Sequence, residues 1–239
     1  MFEGYVGIQM WDGQLTNDVV FALLFLLFFC FAFLFHLHYK LFDKMLYDVV
    51  HLKERQNLSP VSSGGEWLFR HFMTGQALLL CGVSLFSIAR AEGYLSRFSQ
   101  AATLATLALS VVGLVFYYWS RRFLYYLLGA VFADPDGYRS WRTGYNALIG
   151  LWGVSLYLPT LWLAFVGGSP RVPIILFVLL YILSRFVNIY RVIRIFYKKN
   201  NRLFYLSLYL CAIEILPLFF IYKAVVYWYN FFGSSSLWH

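Results

Sequence analysis

Residues 19–37 read VVFALLFLLFFCFAFLFHL, a run with no Asp, Glu, Lys or Arg. A hydrocarbon core about 30 Å thick takes about 20 mainly apolar residues as a helix. Helix is the required form, because lipid offers free backbone groups no partner. Five more segments qualify: 72–89, 100–119, 145–166 with Pro159 inside it, 173–193, and 203–228 with Pro217 inside it. The expected fold is all-α, a polytopic transmembrane helix bundle of about six spans, with 1–239 as a single integral membrane domain. Composition points the same way. The chain is 61% hydrophobic and only 13% charged, and a soluble fold of this size could not hide so much apolar surface.

The net charge of +8 would suit nucleic acid, but the positions of the charges argue against such a partner. The 38–71 connection carries Lys40, Lys44, Lys53, Arg55 and Arg70. The 120–144 connection carries Arg121, Arg122, Arg139 and Arg142, and 191–202 carries Arg191, Arg194, Lys198, Lys199 and Arg202. Only Arg90, Arg97 and Arg171 lie on the opposite side, while Arg185 and Lys223 fall inside spans. This asymmetry places the basic connections in the cytoplasm, where anionic lipid headgroups are their natural partners. Both termini are then expected in the periplasm. Residues 1–18 hold Glu3, Asp12 and Asp18 and no basic residue, so no cleavable signal peptide is expected.

Two connections read as ordered. Residues 41–55 place Phe42, Met45, Leu46, Val49 and Val50 on one helical face and Asp43, Lys44, Asp48, Lys53 and Glu54 on the other. This predicts an amphipathic helix that lies in the interface or extends the first span. Residues 56–65 (QNLSPVSSGG) read as a flexible linker. Residues 121–132 predict a second helix, interfacial or continuing the third span, ended by a turn at ADPDG, 133–137. Tyr and Trp crowd the span ends, as in an aromatic belt at headgroup level.

Candidate functional residues gather on the last two spans. Glu214 is the one acidic residue inside any segment, about halfway along the sixth. A charge at that depth costs roughly 2.5–3.5 kcal/mol on insertion scales. Arg185, at similar depth on the antiparallel fifth segment, is its expected partner. Tyr181, Ser184, Asn188 and Arg191 follow helical spacing around Arg185, a polar stripe that should face protein or water. Two readings are open: an ion- or proton-responsive pair in a polar cavity, or a salt bridge that locks two helices. Pro217 frees a backbone carbonyl one turn earlier, beside Glu214.

Other chemistry is poorly served. Cys30, Cys81 and Cys211 stand alone in apolar stretches and read as small buried side chains. His36 and His38 are two apart and point to different faces, so neither a metal site nor any other cofactor is expected. Asp134 and Asp136 belong to the expected turn. Phosphate-binding glycine loops and metalloprotease or serine-hydrolase motifs are missing from the sequence.

The sixth segment, FYLSLYLCAIEILP at 204–217 and the following Tyr222-Lys223, resembles an uncharacterised family of polytopic membrane proteins from Bacteroidota, the domain-of-unknown-function family 4271. The resemblance runs from the second span to the end and implies an inner-membrane protein of a Gram-negative bacterium. It brings no activity, cofactor or catalytic residue. The expected function is a non-enzymatic subunit or assembly factor of a larger membrane complex, of the secretion or envelope kind, with protein partners in the membrane. The alternative is a small transporter or ion-coupled channel using Glu214 and Arg185.

Overall fold

The computed structural model describes residues 14–50, 64–95, 100–132, 135–166, 170–196 and Lys223. Among these it is helical and has no strand: α1 (Gln14–Val50), α2 (Gly64–Ala91), α3 (Gln100–Phe132), α4 (Pro135–Ser155), α5 (Tyr157–Phe165) and α6 (Arg171–Phe196). Five stretches are long and apolar enough to cross a membrane: Thr16–Tyr47, Gly65–Ala91, Gln100–Leu127, Arg142–Phe165 and Arg171–Arg191. The chain is therefore an all-α polytopic helix bundle. The sixth expected span, with Glu214 and Pro217, lies outside the described residues except for the helical Lys223.

The helices outrun the apolar segments that nucleate them. α1 continues past residue 37 to Val50, with one non-helical residue, His38 (φ −129°, ψ 33°). Beyond that kink the amphipathic face is covered by protein: Met45 is buried with Phe69, Met73 and Ala147, and Phe42 and Val49 pack around them. Gly64 and Gly65, expected in a linker, open α2. Residues 121–132 continue α3. The expected turn over 133–137 is corrected. α4 starts at Pro135, so 135–137 form its first turn, where a proline loses nothing by lacking an N–H.

The fourth span loses one bond of its helical ladder, while Leu156 keeps helical φ and ψ (−70°, −17°) and its N–H still reaches the Trp152 carbonyl at 3.1 Å. Pro159 cannot donate to the Ser155 carbonyl, and Leu156 is a turn between α4 and α5. Two hydroxyls bond back onto carbonyls here, Ser155 to Trp152 at 2.7 Å and Thr160 to Leu156 at 2.6 Å.

By its contacts the chain divides into two compact units, residues 1–115 with 143–185 and residues 116–142 with 186–239. α3 and α6 contribute to both. In the first unit α2 is central: 61% of its apolar window is buried, against 17% for α1. Phe69, Met73, Ala77, Leu80, Val83 and Ser84 form its buried face, at three- and four-residue spacing. α1 runs antiparallel to it, with Asn17 meeting Arg90 at one end and His38 meeting Phe69 toward the other. α4 and α5 run parallel to it. A Cβ on Gly150 would touch Met73, a Cβ on Gly153 would touch Ala77, and further on Thr160 meets Ser84. Parallel second and fourth spans are what alternating crossings require. α2 ends in a Schellman motif: Gly93 takes φ 79°, its N–H reaches the Arg90 carbonyl, and Tyr94 N–H reaches Ala89.

Candidate functional site

In the second unit α3 carries Tyr117, Arg121 and Tyr125, four residues apart and so stacked on one face of the helix. Arg121 is completely buried, and Tyr125 nearly so. The guanidinium lies between the two phenols, its carbon 5.5 Å from the Tyr117 ring centre and 5.7 Å from that of Tyr125. Nη1 donates to Tyr117 Oη at 3.2 Å and Nη2 to Tyr125 Oη at 3.5 Å. Tyr125 Oη also accepts from Asn188 Nδ2 on α6 at 3.2 Å, and Asn188 is 2% exposed. One phenol oxygen thus ties α3 to α6. Arg191, one turn beyond Asn188, is buried too.

A buried guanidinium is costly unless hydrogen bonds and ring faces compensate it. A guanidinium is a permanent cation in water. Arg121 therefore supplies a fixed positive charge and a geometric pin, and takes no part in proton relay.

The stripe expected on α6 divides between the two units. Ser184 Oγ donates to the Tyr181 carbonyl at 2.7 Å, a bond within its own helix. Arg185 lies over the Tyr181 ring at 4.8 Å, and Tyr181 packs edge-on to Trp152 of α4 at 6.2 Å. These three residues belong to the first unit, and Asn188 and Arg191 to the second. Glu214 and Pro217 lie outside the described residues. Sequence reasoning assigned Arg121 to a basic connection. The Tyr-x3-Arg-x3-Tyr spacing was the signal that could have placed it on a buried helical face.

The first unit holds a second polar group of side chains, on the face of α2 toward the fourth span. Ser84 and Thr160, both fully buried, share a hydrogen bond at 2.6 Å. Gln76, near the middle of α2 and 1% exposed, has neither amide atom hydrogen-bonded. The Trp152 Nε1 and Tyr157 Oη atoms are likewise buried without a partner. An orphaned buried amide costs about 1–3 kcal/mol, so Gln76 is an uncompensated expense in a resting helix seam. Among the described residues no three His, Cys, Asp or Glu side chains come together as metal ligands. At the opposite end of the unit Glu66 Oε1 accepts from Arg70 Nη2 at 2.9 Å and lies 3.4 Å from Lys44 Nζ, joining α2 to the extension of α1.

Residues 20–225 match a family model described as "Domain of unknown function (DUF4271)". No curated protein and no solved structure matches the chain.

Proposed function

We propose that this chain, which belongs to the DUF4271 family, is a non-enzymatic subunit or assembly factor of a larger complex in the bacterial inner membrane. The observation that carries the reading is the use made of interior polar groups. Arg121, Tyr125 and Asn188 fasten α3 to α6, and Ser84 with Thr160 fastens α2 to α5. Such groups specify how helices pack. The outer faces are apolar and aromatic. On α1, Phe21, Phe25, Phe29 and Phe33 make an exposed ridge at four-residue spacing, a surface for lipid or for the helix of a neighbour. The basic ends of the helices suit anionic headgroups of the cytoplasmic leaflet. The test is extraction of the full chain from its native membrane in a mild detergent, followed by sizing and identification of what travels with it. A larger assembly of fixed composition is expected. A lone monomer with no associated protein would sink the proposal.

A second reading, a small transporter, draws support from Gln76. A buried unsatisfied group suits a site that gains a ligand or a new partner in another conformation. Gln76→Leu separates the two. Replacing an orphaned amide with an apolar side chain of similar size should preserve or raise thermal stability. In the scaffold reading the variant restores growth or secretion to a deletion strain. In the transport reading it is stable and inactive.

A further inference from the structure

Where α1 begins and α2 and α5 finish, the first unit holds a pocket of about 330 Å³. Its polar edge is Asn17, Ser87 and Arg90; its apolar wall includes Phe86, Leu163 and Phe165. Three elements build it. The Schellman turn at Gly93 stops α2 one residue beyond Arg90, which leaves that side chain at the rim. Arg90 Nη1 donates to Asn17 Oδ1, so the guanidinium is held across the gap between α2 and α1. Among the described residues this is its only hydrogen bond. Ser87, one turn deeper and 7% exposed, sets a hydroxyl at the inner edge. Among the described residues Arg90 is the one charged residue that lines the pocket; Asp18 and Glu92 are exposed near it in sequence and do not line it.

We infer that this pocket binds an amphipathic anion, a carboxylate or phosphate head on an acyl chain. A guanidinium fork held in place by an amide is matched to planar or tetrahedral oxyanions. A wall of Phe and Leu at the end of a span is matched to the first methylenes of a chain that continues into lipid. A volume of this size holds a headgroup and not a whole lipid, so the chain leaves along the α1 and α5 surfaces. The polar edge favours an anion over a zwitterion, because among the described residues no carboxylate lines it to meet an ammonium group. The site is independent of both functional readings above.

The test uses the full chain purified in detergent and stripped of lipid, with native mass spectrometry as the readout. Oleate and an anionic lysophospholipid are titrated separately, which tells a carboxylate head from a phosphate head. A zwitterionic lysophospholipid and inorganic phosphate are the comparisons. Saturable binding of one or both anionic amphiphiles is expected, at least about tenfold tighter than the zwitterion. Arg90→Gln should remove that preference, and Arg90→Lys should restore part of it. Because Arg90 is at an exposed helix end, both variants should elute and melt as the parent does, so a loss of binding will not reflect misfolding. Equal binding of anionic and zwitterionic amphiphiles, or an Arg90→Gln variant with unchanged preference, would overturn the inference. Inorganic phosphate bound as tightly as the lysophospholipid would overturn the role given to the apolar wall.

Discussion

The Tyr125 hydroxyl is the smallest feature on which a large contact rests. Its oxygen accepts from Arg121 and from Asn188 at once, and both donors are buried. Tyr125→Phe keeps the ring over the guanidinium and removes the hydroxyl. The cost is the desolvation of donors left without it, about 1–3 kcal/mol, and Asn188→Leu, which removes a donor instead, should cost less. Thermal unfolding of the two variants in the same detergent gives the order. If Tyr125→Phe melts with the parent, the phenol oxygen does not join α3 to α6. The same residues mark the limit of reading side chains from sequence. Asn188 was visible as part of a polar stripe on one helix. Its partner was not, because Tyr125 lies 63 positions away in a stretch whose arginines look like an ordinary basic connection. Periodicity within a helix is written locally, whereas the pairing of two helices is decided by packing.

At the level of helices, the seam between α2 and α4 is set by the lack of side chains. A Cβ on Gly153 would lie 2.6 Å from Ala77 Cβ and 2.8 Å from its Cα, closer than any rotation could relieve, because Cα belongs to the backbone. Gly153→Ala should therefore force the helices apart, at about 1–3 kcal/mol. Gly75, two residues before Ala77 and so on the other side of α2, has nothing within 4 Å of its would-be Cβ. Gly75→Ala should be neutral or stabilising by up to about 1 kcal/mol, through helix propensity alone. Similar melting of both variants would mean that small residues do not set this seam. The helices themselves were legible, since an apolar run of span length has one solution in lipid. Their ends were less so. α1 and α3 continue through Lys, Arg and Asp because a helix that has left the hydrocarbon keeps its backbone bonds and buries whatever face its neighbours cover. Met45 and Arg121 are buried on such extensions. The lost ladder bond was foreshadowed by Pro159, but nothing local told that Thr160 would meet Ser84.

For the whole molecule, the packing of α2 against its neighbours and the distribution of charge bear on the same question by different routes. α1 is antiparallel to α2, and α4 with α5 is parallel to it, so Lys44, Glu66 and Arg70 share one end of the first unit and Arg90 lies at the other. The end with Lys44 and Arg70 is the one to which the sequence assigns most of its 19 basic residues. Basic residues near span ends resist translocation, so that end is the one expected in the cytoplasm. The prediction concerns two single cysteines placed in a chain whose Cys30, Cys81 and Cys211 have been replaced. With Ser62→Cys, between α1 and α2, a membrane-impermeant maleimide should label only after the inner membrane is opened. With Ser235→Cys, near the last residue, the same reagent should label intact spheroplasts, as the expected sixth crossing at 203–228 requires. The reverse pattern would invert the molecule and put the Arg90 pocket in the cytoplasmic leaflet. Labelling of both sites from one side would mean an even number of crossings between them, against the five expected, and would remove the sixth span from the bundle.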